Sequence, residues 1–507
     1  MCLLPLGLLC IMDSLRKTGF VSWVLCGGLL GVGFLAHFLW PLGILGIAYF
    51  FYLAQEAESY KQIALGGFVA WTVKSLAALI WFLSVYPIEW LPFSLGKIEL
   101  LIVIFYWVTN SVWLGVGGIV AAVLIKKIYT LRMNTLTLFL VSSLAWVLSE
   151  LVSSFAFSIF TYGTGGAITS AFSFGYVGYL LSQHEWVLQL ARVYGVYGLS
   201  FGAVILALGV LAGMRHKKWC VLIVGGVVFW VSGFIPFHFA SPNTDSYYTV
   251  LTIDTTIPIS LSRTPEGKLE RQAVLEEAMQ TALSFESNYI VLPEDTQYFN
   301  QSIPSQQEKA QFQFLNNNPQ TIIVDTGRAH PEEGAVLQAF VYNGVENTVD
   351  ISHKRYLVPQ GEFMPYFYAA LLRMFGFSEA IDSIEKDISY VVGPLTSQQD
   401  SARSTPGVLY CFESVSPWGV KKIVEEKGDV PFIAHPISHG WFNEPTFLWK
   451  SLDSMLLVQA VWNQQYIVSA GAHMSGQVFT PQGEVVIPEN IASGEYWTVR
   501  QSFIPVR

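Results

Sequence analysis

Long apolar runs occupy most of the first 240 residues, and they constrain the fold more than any other feature of the sequence. A bilayer core of about 30 Å needs roughly 20 apolar residues for each helical span. Seven stretches meet this requirement, near residues 20–38, 40–55, 62–85, 99–125, 136–160, 188–213 and 219–239. The sequence therefore predicts a membrane domain over residues 1–240 with about seven transmembrane helices.

The second half of the chain has a different composition. Charged residues make up 13% of the whole sequence and mean hydropathy is +0.44, whereas an average soluble protein has about 25% charged residues. The deficit lies in residues 1–240, while residues 241–507 have the composition of an ordinary soluble domain. The net charge of −9 comes mainly from this second domain and argues against a nucleic-acid partner.

Basic residues in the short loops indicate the orientation, because they accumulate on the cytoplasmic side. With a cytoplasmic N-terminus, the outer loops carry only Lys97. The inner loops then carry nine: Arg16, Lys17, Lys61, Lys126, Lys127, Arg132, Arg215, Lys217 and Lys218. An odd number of spans then places residues 241–507 outside the cytoplasm.

Charged residues inside the predicted spans include Lys74 and Glu150. Lys74 is near the cytoplasmic end of its span, so we expect its ammonium group to reach the interface. Glu150 is deeper and is expected to face a partner or a cavity. The connection 161–187 contains no Lys or Arg and is expected to lie on the outer membrane surface.

Strand and helix patterns alternate from Tyr247 onward, which favours an α/β layered sandwich. Three polar residues stand where predicted strands end: Glu294 in VLPEDT, Lys354 in ISHKRYLVPQGE and Cys411 in VLYCFES. Glu413 would share the face of Cys411 if that strand continued. Glu362 follows Lys354 by eight residues.

Cys411 is the single cysteine of the second domain, so an internal disulfide is impossible there. A thiol with a pKa of about 8.5 is mostly protonated at neutral pH and needs a base. A carboxylate can take its proton, and a fixed ammonium can stabilise the oxyanion of a tetrahedral intermediate. Glu294, Lys354 and Cys411 therefore provide a candidate base, a candidate oxyanion-stabilising cation and a candidate nucleophile.

The same residues are also compatible with purely structural roles. A lone cysteine on an apolar strand is often a buried packing residue, and Lys354 and Glu294 are also compatible with a surface charge and a capping carboxylate. His435 and His439 are four apart, but Pro436 breaks any helix between them, so we predict no metal site. No cofactor is predicted either.

The sequences that surround these three residues indicate a family more specifically than the residue types do. VLPEDT, HKRYLVPQGEFMPY and YCFES resemble the three motif blocks of the nitrilase superfamily, and in particular its apolipoprotein N-acyltransferase branch. The membrane half resembles that branch through WVLSELV around Glu150 and LARVYGVYGLSF at 190–201. The branch has a Lys followed by LVP-x-GE-x-x-P, which is matched here by Lys354, Leu357, Val358, Pro359, Gly361, Glu362 and Pro365.

The resemblance implies an α-β-β-α sandwich after a multi-span helical bundle, and a two-step acyl transfer. Cys411 would take an acyl chain from a phospholipid, with Glu294 as base and Lys354 supporting the oxyanion. The thioester would pass the chain to the N-terminal amine of a diacylglyceryl-modified apolipoprotein. The enzyme would be a monomer in the bacterial cytoplasmic membrane, with its catalytic domain on the extracytoplasmic side.

The resemblance also assigns supporting residues. Glu362, Phe412 and Glu413 would be supporting active-site residues. The segment 363–377, which includes Phe363 and Pro365, would be a membrane-dipping arm that admits acyl chains; its alternative is an ordinary core helix. Trp441 and Phe442 would line the pocket.

Three departures from the family pattern concern the same site. Phe412 stands where the family commonly has Tyr, and Ser438-His439-Gly440 stands where it usually has Asn-Asp-Ala. The chain ends in a polar tail at Arg507, where the family usually has another membrane helix. Two alternatives therefore remain at the level of sequence: a membrane-tethered amidase acting on a small amide, and an inactive homologue that serves as a scaffold.

Overall fold

The computed structural model of the chain describes residues 19–88, 96–182, 184–215, 246–259, 261, 264–299, 320–329, 335–344, 346, 348–387, 390–393, 405–443 and 446–506. Its first half is helical. The helices are α1 (Phe20–Leu35), α2 (Trp40–Glu56), α3 (Tyr60–Ala78), α4 (Glu99–Thr130), α5 (Thr135–Phe160), α6 (Glu185–Leu188) and α7 (Ala191–Arg215).

Four helical segments of the described residues are long and apolar enough to cross a membrane: His37–Glu56, Glu99–Thr130, Thr135–Phe160 and Ala191–Arg215. They coincide with four of the predicted spans. The first predicted span is a 16-residue helix, shorter than a bilayer needs. The stretch 62–85 divides between α3 and the 3-10 helix Ile80–Val85. The stretch 219–239 and the predicted domain boundary at 240 lie outside the described residues.

Glycines let the apolar helices pack closely. A Cβ atom at Gly67 of α3 would lie 2.2 Å from the carbonyl oxygen of Gly118 on α4, and one at Gly118 would lie 2.1 Å from that of Gly67. Small residues at helix crossings allow this approach in lipid, where helices associate through packing contacts. Helices α3 and α4 therefore pack closely against each other where Gly67 and Gly118 meet.

Lys74 does not reach the interface as predicted. Its side chain is 2% exposed and its ammonium lies 4.0 Å from the centre of the Trp71 ring. It interacts electrostatically with Glu150 on α5, so an internal partner replaces the expected contact with the headgroup region. Glu150 itself faces partners, as predicted: it accepts hydrogen bonds from Val177 N (2.8 Å) and Trp146 Nε1 (3.3 Å).

Part of the connection between α5 and α7 is packed inside the protein; its expected position on the outer membrane surface stays a prediction. Residues 171–182 are buried and include the 3-10 helix Val177–Leu181. Ser173 donates from its backbone N–H (3.2 Å) and its hydroxyl (2.7 Å) to the carbonyl of Val415 in the second half. This connection is therefore a bridge between the two halves.

The second half is an α/β structure with a mixed sheet. Its helices are α8 (Pro265–Leu283), α9 (Tyr366–Met374), α10 (Ser378–Asp387), α11 (Gly419–Lys427) and α12 (Thr446–Asn463). Its strands are β1 (Tyr247–Thr255), β2 (Tyr289–Val291), β3 (Ile322–Ala329), β4 (Val336–Asn343), β5 (Thr348–His353), β6 (Gly407–Val408), β7 (Ile433–Ser438), β8 (Ile467–Ala472), β9 (Val478–Phe479), β10 (Val485–Val486), β11 (Glu489–Ser493) and β12 (Trp497–Pro505).

The strands form two sheet halves that join where β1 meets β8 at Thr255 and Ala472. One half has the order β11-β12-β1-β2-β3-β4-β5, and the other contains β6, β7, β8, β9 and β10. Asp254 stabilises the junction, because its carboxylate accepts hydrogen bonds from Gly471 N (2.9 Å), Gly476 N (2.8 Å) and Arg500 Nε (2.8 Å).

Alternating side chains divide these halves into layers, as the two-residue period of a strand requires. Val250 and Val291 face a core shared with Ala434 and Val468, which lies between the sheet halves. Their neighbours on β1 and β2 face α8 instead. On the other side, Ile433 packs with residues of α11 and α12. The order of layers is helix, sheet, sheet, helix, and the predicted fold class is confirmed.

Candidate active site

Lys354 directly follows β5, and its backbone N–H continues the ladder by donating to Leu337 O (3.0 Å). Its side chain is 1% exposed. The ammonium lies 2.8 Å from Glu294 Oε1 and 2.6 Å from Glu362 Oε1. A buried ammonium needs paired charges, and these two carboxylates provide them. The alternative interpretation of Lys354 as a solvated surface charge is therefore wrong.

Glu294 follows β2 at a sharp turn. The next residue, Asp295, has φ +59°, a left-handed conformation uncommon for residues other than glycine. Its N–H donates to Thr326 Oγ1 (2.8 Å), and its carboxylate forms an ion pair with Arg328 on β3. These contacts fix the turn and hold Glu294 against Lys354.

Cys411 is not at the end of a strand, because β6 ends at Val408. It is the first residue of the 3-10 helix Cys411–Val415. The residue is partly exposed, and its sulfur lies 3.8 Å from the carbonyl oxygen of Ser438, at the end of β7. The thiol is therefore presented on a helical turn.

Glu413 does not share the face of Cys411, because the strand does not continue. Its Oε1 accepts a hydrogen bond from Arg355 N (2.5 Å), and its Oε2 accepts one from Tyr410 N (3.1 Å). It caps the turn that begins at Cys411 and binds the backbone next to Lys354. Glu413 therefore joins two of the three motif blocks.

Glu362 and Phe412 occupy the two sides of the cluster. Glu362 is buried, and its Oε2 accepts a hydrogen bond from Val358 N (2.8 Å) while its Oε1 meets Lys354. The ring of Phe412 lies 5.7 Å from that of Phe172 and 6.2 Å from that of Phe174, measured between centroids. Phe412 thus contacts the bridge from the membrane half.

Burial and charge shift the pKa values of the cluster. Burial raises the pKa of Glu294 to about 7, although the Lys354 ammonium opposes the shift. Burial lowers the pKa of Lys354, but Glu294 and Glu362 more than offset it, and the net pKa lies above its usual value. Burial and Glu294 raise the pKa of Cys411. The resting cluster therefore holds an ammonium and a thiol beside a carboxyl group whose pKa is raised toward neutral pH.

A cavity of about 250 Å³ opens onto this cluster and lies between the two halves of the protein. Its polar end contains Glu294, Lys354, Glu362 and Cys411. Its apolar walls come from both halves, and the lining residues include Trp81, Val103, Tyr106, Phe157, Phe363, Leu372, Ile381, Phe412, Trp441, Phe442 and Leu452. The cavity can hold an aliphatic chain beside a thiol.

Most of the predicted pocket residues line this cavity. Phe363, Phe412, Trp441 and Phe442 all belong to its wall. Pro365 does not; it precedes the first residue of α9 as its N-cap and so shapes the arm instead.

The predicted arm, residues 363–377, consists of α9 and the residues on either side of it. Tyr368 and Ala369 are buried beside Tyr106 of α4. Met374 and Phe375 are 82% and 69% exposed. An ordinary core helix would bury such side chains, so the segment is an apolar projection anchored on one face.

The unusual 438–440 block lies beside the thiol. The carbonyl of Ser438 faces Cys411, and the Trp449 ring N–H donates to His439 Nδ1. His435 Nδ1 lies 2.8 Å from Ser469 Oγ. Burial lowers the pKa of His435 and of His439 to about 3, so both rings are neutral. The described residues contain no group of three metal-binding side chains.

Sequence reasoning missed several residues of the site. Asp295 and Arg328 line the cavity beside Glu294, and Asn110 of α4 lines it with Gln360. An Asp directly after Glu294 was a visible signal. No local pattern relates Asn110 to Gln360, which lie 250 residues apart.

Comparisons with known proteins bear on the whole chain. The sequence model of the apolipoprotein N-acyltransferase N-terminal domain matches residues 26–209. An apolipoprotein N-acyltransferase of Geobacter metallireducens is 22% identical over 509 aligned positions, which cover 95% of this chain and 90% of that protein.

Two solved structures are similar to about half of this chain at TM-scores of 0.32. One is a CN-hydrolase superfamily protein from Xanthomonas campestris, at 11% identity over 51% of this chain and 91% of its own. The other is a glutamine-dependent NAD(+) synthetase from Cytophaga hutchinsonii, at 10% identity over 51% and 43%. With residues 26–209 matching the family's N-terminal domain, the resemblance of this chain to the apolipoprotein N-acyltransferase family is confirmed.

Proposed function

We propose that this protein is an N-acyltransferase that moves a fatty acyl chain from a phospholipid to the N-terminal amine of a diacylglyceryl-modified apolipoprotein. One observation carries the proposal. A single cavity joins apolar walls from the membrane half to the Glu294–Lys354–Cys411 cluster. Homology to apolipoprotein N-acyltransferases supports the same reaction class.

In the first half-reaction, the sulfur of Cys411 attacks an ester carbonyl of the phospholipid while Glu294 takes the thiol proton. The Lys354 ammonium stabilises the negative charge that develops on the carbonyl oxygen, and the backbone N–H of Phe412 is a candidate second donor. When the intermediate collapses, the C–O bond breaks and the lysophospholipid alkoxide takes the proton from Glu294. The product is a thioester on Cys411.

In the second half-reaction, the amine of the acceptor attacks the thioester carbonyl. Glu294 takes a proton from the attacking nitrogen, and collapse of the intermediate breaks the C–S bond. The proton returns to the Cys411 sulfur, and the acyl chain leaves as an amide. One carboxyl group thus serves both steps, which the pKa of about 7 for Glu294 allows.

Glu362 and Glu413 are the supporting carboxylates of this mechanism. Glu362 shares the Lys354 ammonium and receives the Val358 N–H, so it fixes where the ammonium points. Glu413 holds the turn at Cys411 to the backbone after Lys354. Neither is proposed to transfer a proton.

The location of the cavity fits two membrane-anchored substrates. Residues of α4 and of the arm form its walls, so a lipid can enter with its chains still in apolar surroundings. We propose that the protein lies in the bacterial cytoplasmic membrane with residues 241–507 on the extracytoplasmic side. Reporter fusions placed after residue 443 test this orientation, and activity of a cytoplasm-specific reporter would contradict it.

The small-amide hydrolase is the less favoured alternative. A small polar amide would leave the long apolar walls of the cavity without a function, and water would have to reach the thioester. An acyl chain fills the same walls and displaces water from them.

The test is a two-substrate reaction in detergent or vesicles with a phospholipid and a diacylglyceryl-cysteine peptide. Mass spectrometry should find the peptide heavier by one acyl group, attached as an amide at its N-terminus. Release of free fatty acid without peptide acylation would instead favour the hydrolase.

Cys411→Ser and Cys26→Ser make a matched pair for this test. Both are free cysteines; Cys26 is buried and Cys411 is partly buried. Cys26 lies in the membrane half, where its thiol donates a hydrogen bond to Gly46 O. We expect no product from Cys411→Ser and near-normal product from Cys26→Ser.

A further inference from the structure

The turn that carries the nucleophile is held by residues 172–174 of the bridge. This turn is the 3-10 helix Cys411–Val415. Its second residue, Phe412, packs against both phenylalanine rings of the 172–174 segment. The carbonyl of its last residue, Val415, accepts hydrogen bonds from the backbone N–H and the hydroxyl of Ser173. The membrane half therefore contacts the turn both next to Cys411 and at its far end.

The direction of the Ser173 hydroxyl bond follows from its acceptor. Ser173 Oγ lies 2.7 Å from Val415 O and 2.7 Å from the Tyr179 hydroxyl, and all three residues are buried. A carbonyl oxygen cannot donate, so the proton in the first contact comes from Ser173. The Tyr179 hydroxyl must then donate the proton of the second contact. Tyr179 therefore holds the Ser173 hydroxyl with its proton on Val415.

Tyr179 is itself fixed by helices of the membrane half. It lies in the 3-10 helix Val177–Leu181. The first N–H of this helix, that of Val177, donates to Glu150 Oε1 (2.8 Å) on α5, and the next N–H donates to Ser200 Oγ (2.9 Å) on α7. The first N–H groups of a helix have no partner inside it, and here α5 and α7 supply their acceptors. The position of Tyr179 is therefore set by two membrane helices.

The second half holds the same turn at other points. Glu413 caps its start through Tyr410 N, and Gln459 of α12 donates to the carbonyl of Ser414 (2.8 Å). Neither of these two contacts is made to Val415. Loss of the Ser173 hydroxyl should therefore loosen the end of the turn while its start stays in place.

We propose that Ser173 is a positioning residue for the nucleophile: it fixes the turn at Val415 and so aims the Cys411 thiol at the base that takes its proton. Tyr179 and Glu150 act through Ser173 and keep its hydroxyl in place. This inference rests on the proposed role of Cys411 in acyl transfer. It gives the bridge a part in the chemical step, beyond joining the two halves.

The experiment compares Ser173→Ala with Ser182→Ala. Ser182 is also buried in the bridge, but its hydroxyl donates to Tyr179 O (2.7 Å) and not to the turn. Single-turnover thioester formation at saturating phospholipid should be about 3- to 10-fold slower in Ser173→Ala, which is the effect of one uncharged hydrogen bond. The half-saturating phospholipid concentration should not change. Ser182→Ala should keep the wild-type rate.

A double variant separates positioning from stability. Ser173→Ala leaves the Tyr179 hydroxyl buried without its acceptor, which costs stability. Adding Tyr179→Phe removes that hydroxyl, so equilibrium unfolding should show recovered stability. The rate of thioester formation should stay low, because the bond to Val415 is still missing. A rate that recovers together with stability would overturn the proposal, as would equal slowing by Ser182→Ala or an effect confined to the half-saturating concentration.

Alkylation of Cys411 by iodoacetamide tests the same positioning without lipid. The thiolate is the reactive form, so the alkylation rate of the Cys411 peptide, followed by mass spectrometry, depends on the base. Ser173→Ala should slow it by a similar factor, and an unchanged or faster rate would contradict the proposal. If the wild type forms no thioester but the alkylation rates differ as expected, the proposed function fails and the positioning of Cys411 by Ser173 stands.

Discussion

Glu413 accepts a hydrogen bond from the backbone N–H of Arg355 at 2.5 Å. Arg355 follows Lys354, and Glu413 lies two residues after Cys411. Its other oxygen caps the turn at Tyr410. One buried side chain therefore sets the position of the thiol relative to the ammonium.

Glu413→Gln is expected to lower the rate of acyl-enzyme formation about 10- to 100-fold, because small misplacements of reacting groups have effects of that size. The amide offers one acceptor oxygen for two backbone donors and brings its NH₂ group against one of them. Rapid-quench measurement of thioester formation checks this. Glu426→Gln is the control, since Glu426 pairs with the Arg355 side chain at the surface; an equal loss there would contradict the assignment.

Acyl-enzyme formation should rise with pH between about 6 and 8. Glu294 must be ionised to take the thiol proton, and its pKa of about 7 means that the ionised fraction increases through this range. The measurement is the single-turnover rate of thioester formation against pH. Glu294→Gln should remove the activity at every pH, and a wild-type rate that is flat or falls over this range would exclude Glu294 as the base.

Lys354→Met should abolish activity and destabilise the protein by about 3–5 kcal/mol, because it leaves two buried carboxylates without their cation. Adding Glu362→Gln removes one of these charges. The double variant should regain part of the free energy of unfolding but none of the activity. Equilibrium unfolding and the transfer assay measure the two effects separately, and additive losses of stability would show that the residues do not interact.

Charges on the exposed face of the arm should slow acylation from membrane phospholipid and leave the chemical step at Cys411 unchanged. Met374→Asp and Phe375→Asp introduce charge at side chains that are 82% and 69% exposed, so folding should be little affected. We expect slower acylation from phospholipid vesicles and an unchanged acylation rate with a small, water-soluble thioester. Equal slowing with both donors would place the effect in the catalytic cluster.

Much of the fold follows from sequence patterns that are local. Hydropathy located the four long apolar helices, and alternation of side chains predicted the layered sheet. The resemblance of three short motifs predicted that Glu294, Lys354 and Cys411 belong to one site. The first two inferences depend on neighbouring residues alone, and the third depends on the resemblance of three short motifs to those of a known family.

The inferences that failed depend on partners far along the chain. Lys74 is buried, and Glu150, with which it interacts electrostatically, lies on another helix. Glu413 faces away from Cys411 because the chain turns into a 3-10 helix where a strand was expected. The Asn110–Gln360 pair spans 250 residues and two structural halves, so no local pattern predicts it.

The most direct test of the account is intact-protein mass spectrometry after incubation with phospholipid alone. The account predicts one added acyl group on Cys411, released by hydroxylamine and transferred when the acceptor peptide is added. Acylation at any other residue, or peptide acylation by Cys411→Ser, would contradict it.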